Sequence, residues 1–115
     1  MLVLFDQGTP APLRAFLTGH TIRTAAEQRW TTLANGLLLD AAEAAGFDVL
    51  MTTDKNIRYQ QNLARRMIAI VVLGNPQWPV VRLHIQKVVA AVNAATPGSY
   101  TEVDIPGQST RRQPD

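Results

Sequence analysis

The chain lacks cysteine altogether, which excludes disulfides, thiolate zinc sites and cysteine nucleophiles. A cysteine-free chain fits a reducing cytoplasm, the expected location. It also lacks a basic N-terminal region and reaches an aspartate at position 6, so no signal peptide is expected. No apolar stretch approaches the roughly 20 residues that span a bilayer, and no membrane partner is expected. Excess charge is missing too, since 11 Lys and Arg against 9 Asp and Glu leave a net charge of +2. That balance lends nucleic-acid binding only mild support, because Arg111 and Arg112 fall in an expected tail. What the chain does have is 46% hydrophobic residues in a length of 115. That is enough for one core without staples and too little for two.

The hydrophobic residues come in short runs. Met1–Phe5 and Val49–Thr53 are apolar and end at Asp6 and Asp54, and runs of this kind read as buried parallel strands. Further strands are expected at His20–Thr24 and Met67–Leu73, with an edge strand at Tyr100–Ile105. Helices are expected between them. One starts at Gly8-Thr9-Pro10, with Thr9 as N-cap, and runs to about Leu17. A second is capped by Asn35 and carries Leu38, Ala41, Ala42 and Ala45 before stopping at Gly46. A third covers Asn56 to about Arg65, and the longest covers Pro79–Ala95. Residues 25–34 read as loop. The alternation predicts a three-layer α/β fold over residues 1–105, with a mostly parallel central sheet flanked by helices on both faces. Residues 106–115 are expected to be a disordered tail.

In an open α/β sheet, ligands bind beyond the carboxyl ends of the strands, where the strand order reverses. Asp6 and Asp54 both stand at such ends and would form a small acidic pocket suited to a divalent cation. Glu27 in the loop could contribute, and Asn35 could face the pocket as well as cap its helix. Lys55 and Arg58 flank Asp54, where they could hold a phosphate. Asp40 and Glu43 share a helix face that reads as solvated. His20 and His84 show no metal spacing, and Trp30 reads as packing. A receiver-type phospho-acceptor would need paired acids after the first strand, where Gln7 leaves one. A dinucleotide fold would need a glycine-rich turn there, which Gln7-Gly8-Thr9-Pro10 is not.

Several stretches together look familiar. Leu4-Phe5-Asp6, Gly19-His20, Ala26-Glu27, Asn35-Gly36-Leu37-Leu38, the run from Asp48 to Asn56, and Tyr59-Gln60-Gln61-Asn62 resemble the DUF5615-type PIN-like proteins. The likeness spans roughly residues 1–73. It implies a PIN-like nuclease fold, a metal-dependent endoribonuclease activity and a toxin–antitoxin setting with a possible antitoxin partner. Relatives often pair, which makes a homodimer the expected assembly. Asp6 and Asp54 match the family's acids after the first and third strands and would be both catalytic and metal-ligating. The implied cofactor is magnesium or manganese, hard cations that take oxygen ligands. The chain departs from the family at Gln7, Leu37 and Asn56, where relatives often carry carboxylates. That leaves two readings, an active RNA-cleaving enzyme or a decayed module that binds RNA or protein.

Overall fold

The computed structural model describes residues 1–60 and 62–106. Its five strands are β1 (Leu2–Phe5), β2 (Thr21–Thr24), β3 (Val49–Thr52), β4 (Ala69–Leu73) and β5 (Tyr100–Val103). All neighbouring pairs are parallel, in the order β2-β1-β3-β4-β5. The three interior strands, β1, β3 and β4, are the continuous apolar runs. Burial on both faces explains their composition, because helices cover a parallel sheet from either side.

Side-chain alternation divides the core in two. Val3, Phe5, Val49, Met51, Val71 and Leu73 point to one face, and Leu4, Leu50, Ile70 and Val72 to the other. The first face is covered by a 3-10 helix (Ala11–Phe16) and by the paired segments α3 (Trp78–Val81) and α4 (Ile85–Asn93). The second is covered by α1 (Asn35–Ala44) and the single turn α2 (Ile57–Gln60). The fold is therefore a three-layer α/β sandwich with a fully parallel sheet. No helix among the described residues is long and apolar enough to cross a membrane.

The strand order fixes where a ligand can sit. The chain leaves β1 for β2 on one side, then returns across β1 to form β3 on the other. The switch point lies between β1 and β3, where oppositely directed connections leave a crevice at the carboxyl ends. The same order serves many chemistries, so the side chains in the crevice must define the function.

Several elements differ from the sequence expectation. The first helix is 3-10 rather than α, and Thr9 does not cap it. Helix α1 is preceded by Ala34 and has no side-chain cap, so Asn35 is not an N-cap. The expected helix from Asn56 shrinks to one turn, in which Ile57 is buried. β2 and β4 start one and two residues later than expected, at Thr21 and Ala69, and β5 ends at Val103. The long C-terminal helix is broken by a 3-10 turn at Arg82–His84, where His84 leaves helical geometry (φ −127°, ψ 26°). Tighter 3-10 winding shifts the helical phase, and Leu83 in this turn is 71% exposed. Gln61, the side chains of Tyr59 and Gln60, and the expected tail beyond Pro106 lie outside the described residues.

Candidate active site at the sheet switch point

Asp6 is the first residue beyond β1. Its backbone N–H still donates to the Met51 carbonyl at 2.9 Å, so β3 fixes its position. The chain then turns sharply. The Thr9 N–H donates to the Asp6 carbonyl and the Thr9 hydroxyl to that of Met51, both at 3.1 Å. Gly8 at the apex has φ +87°, and a Cβ there would stand 3.0 Å from the Thr53 hydroxyl. Only glycine meets both demands without strain.

The carboxylates of Asp6 and Asp54 belong to one hydrogen-bonded chain. Asp6 accepts the Gln7 N–H on Oδ1 at 2.8 Å and the Thr52 hydroxyl on Oδ2 at 2.9 Å. That same hydroxyl accepts the Asp54 N–H at 3.1 Å. Asp54 in turn accepts the Asn56 N–H on Oδ1 at 2.9 Å and the Asn35 side-chain amide on Oδ2 at 2.7 Å. Thr52 is the one fully buried polar side chain among the described residues. Its burial is tolerated because its hydroxyl both donates and accepts. Thr52 escaped the sequence reading because a threonine ending an apolar strand looks like ordinary β-branched packing.

Every donor in this chain is neutral. Three ion pairs occur among the described residues, and none includes Asp6 or Asp54. Neither carboxylate is matched to a side-chain cation among the described residues. The donor chemistry fits magnesium or manganese. These ions take oxygen ligands, and magnesium is usually held by one or two carboxylates together with waters and substrate phosphates. Each carboxylate oxygen has one protein donor and retains a lone pair for a ligand. Among the described residues, no group of three or more His, Asp or Glu side chains converges on a common point. Asp6 and Asp54 are the two switch-point carboxylates that could hold such an ion.

The remaining candidates separate. Asn35 joins the site through its contact with Asp54. Glu27 does not, because its carboxylate takes both terminal nitrogens of Arg14 at 2.9–3.0 Å and the Thr24 N–H at 2.9 Å. The Arg14 hydrogen bond, aided by Thr24, holds Glu27 below the usual carboxylate range. Arg14 also donates to the Ile22 carbonyl, so the pair straps the 3-10 helix to β2. Lys55 is exposed and lines a hollow with Gly74, Glu102 and Asp104. Arg58 lies over the Tyr100 ring, 5.5 Å from its centroid. Leu37 is 60% exposed on the first turn of α1. Trp30 packs edge-on to Phe47 in the core. His20 bridges the Met1 amino group and Asn93.

The arrangement defines a class, an α/β domain with an acidic crevice at its switch point. No family model matches the chain, and no curated protein or solved structure matches it.

Proposed function

We propose that the chain is a PIN-like, divalent-metal-dependent endoribonuclease that acts on RNA phosphodiesters. One observation supports this above the others: two switch-point carboxylates share a hydrogen-bonded chain that contains no cation. Neutral donors fix the two carboxylates in position without matching them to a cation, which suits them to attract one. The RNA substrate and the role of a toxin held by an antitoxin come with the family resemblance.

In this reading, Asp6 and Asp54 bind the ion, and Thr52 and Asn35 hold those carboxylates in place. Bound magnesium or manganese supplies Lewis-acid polarisation of the phosphoryl oxygen and a more acidic water. Preorganisation is the protein's contribution, because carboxylates already fixed by Thr52, Asn35 and backbone amides need little reordering on binding.

The test is a manganese titration followed by thermal unfolding. At 100 times its Kd the ion should stabilise the fold by about 2.7 kcal/mol. Asp6→Asn and Asp54→Asn should each abolish that gain and any cleavage of single-stranded RNA. An equal manganese effect in both variants would remove the metal reading.

A second reading is favoured by a specific feature: all four carboxylate oxygens already accept a protein hydrogen bond. This satisfaction suits a decayed module that binds RNA or protein without cleaving. RNA binding that persists unchanged in Asp6→Asn, with no cleavage by wild type, would select it.

A further inference from the structure

A hollow of about 200 Å³ adjoins Asp6 between the carboxyl ends of β1 and β2. Since β2 and β3 flank β1 on opposite sides, this hollow lies across Asp6 from Asp54. Small groups leave the space open: Gly8, Thr24, Ala25 and Ala26 all line it. The volume is below the ~300–1,000 Å³ of sites for drug-sized ligands, so it suits one ring-sized group. Its hydroxyls are already engaged. Thr9 donates to the Met51 carbonyl and Thr24 accepts the Glu27 N–H. The Gln7 carboxamide, by contrast, is exposed and makes no hydrogen bond among the described residues. It stands beside Asp6 with a donor and an acceptor to offer.

A phosphodiester held by a cation at Asp6 and Asp54 would carry a nucleoside on each side. Towards β4 and β5, the hollow is lined by Lys55 together with Glu102 and Asp104, so two carboxylates against one cation disfavour a phosphate backbone. Towards β2, Asp6 is the one acid in the lining, and it already belongs to the proposed metal site. The side chains there are small or uncharged, and single-stranded RNA is read by hydrogen bonds to the edges of unstacked bases.

We propose that the β1–β2 hollow is a nucleoside subsite. It seats the ribonucleoside attached to the phosphate at Asp6, and the Gln7 carboxamide hydrogen-bonds its polar edge. This inference rests on the phosphodiester reading and names where that substrate is recognised.

The experiment compares three probes by calorimetry in manganese: inorganic phosphate, uridine 5′-monophosphate and uridine 3′-monophosphate. None contains a phosphodiester to cleave. One uridine monophosphate should bind wild type at least about tenfold tighter than phosphate. Gln7→Ala removes the carboxamide, and Ala26→Leu fills the hollow. Both positions are exposed, where substitutions seldom unfold a domain. Each variant should bring the ratio of nucleotide to phosphate affinity close to one. A wild-type ratio near one, or variants that keep the wild-type preference, overturns the subsite. If manganese still stabilises the protein through Asp6 in that case, the metal reading stands and the subsite alone falls. Without any manganese effect, both fall.

Discussion

Two pairs of carboxylates at opposite ends of the parallel sheet are held in opposite ways. At the amino end, Arg66 reaches Asp40 at 2.6 Å and Glu43 at 2.9 Å. Glu43 also accepts the Met67 and Ile68 N–H groups, which fastens α1 to the start of β4. At the carboxyl end, Asp6 and Asp54 receive donors of comparable geometry, but none of them is charged. The difference separates the work of the two ends. An acid matched by a guanidinium serves the fold, whereas an acid held by neutral donors is fixed in position and left able to attract a cation.

The most forceful way to break this comparison is at the amino end. Arg66→Ala leaves the half-buried Glu43 and the exposed Asp40 without their cation and should cost about 2 kcal/mol of stability in urea unfolding. Asp6→Asn at the other end should leave the metal-free protein equally or more stable, since it removes charge that no side-chain cation balances. Comparable destabilisation by both variants would erase the distinction between the two ends.

Thr52→Val tests the carboxyl end more finely. It is nearly isosteric but leaves the Asp54 N–H without its acceptor, at a cost of about 1–2 kcal/mol. Thr52→Ser keeps the hydroxyl and should retain the manganese response that the valine variant weakens. A manganese-induced rise in melting temperature equal to wild type in Thr52→Val would show that the hydroxyl does not position the acids.

The effect of pH sharpens the contrast further. Burial pushes the Glu43 carboxyl up, but hydrogen bonds from Arg66, Met67 and Ile68 outweigh it, and the group titrates below its ordinary value of 4.5. A carboxyl lowered in the folded state contributes stability that is fully present above its unfolded value. That contribution is lost as pH falls through the lowered folded value. Glu43→Gln should therefore be less stable than wild type near neutrality, and the gap should narrow as the solution is acidified below about pH 4.5. Urea midpoints measured across that range check this. A gap independent of pH would mean that the charge of Glu43 contributes nothing.

Leu37→Glu should have the smallest effect on folding, within about 0.5 kcal/mol, because the side chain is exposed. It sits near the positive amino end of α1, where an anion is favoured. Tighter manganese binding in this variant would place position 37 beside the crevice. Unchanged binding would leave Asn35 as the residue through which α1 reaches Asp54.

Much of this architecture could be read from the residue order. The interior strands announced themselves as unbroken apolar runs, and the two strand-end acids followed directly from where those runs stop. Helix boundaries were less legible, because local chemistry competes with periodicity. The expected first α-helix is a six-residue 3-10 helix, and the longest helix is broken at Arg82–His84. The solvated face expected of Asp40 and Glu43 became an ion-pair cluster, because Arg66 comes from a segment more than 20 residues away.

What the sequence determined by itself is therefore what depends on neighbours along the chain: a buried parallel sheet, its strand ends, and an aspartate at two of them. Partners could be assigned only by the tertiary structure. Asn35 lies 19 positions from Asp54, and Thr52 lies 46 from Asp6. Glu27 was a further candidate in the sequence, but Arg14 lies against it. The reason is physical. A side chain's charge and hydrogen-bonding capacity are written in its identity, but which group consumes them depends on strand order, which brings distant segments to one crevice and keeps others apart.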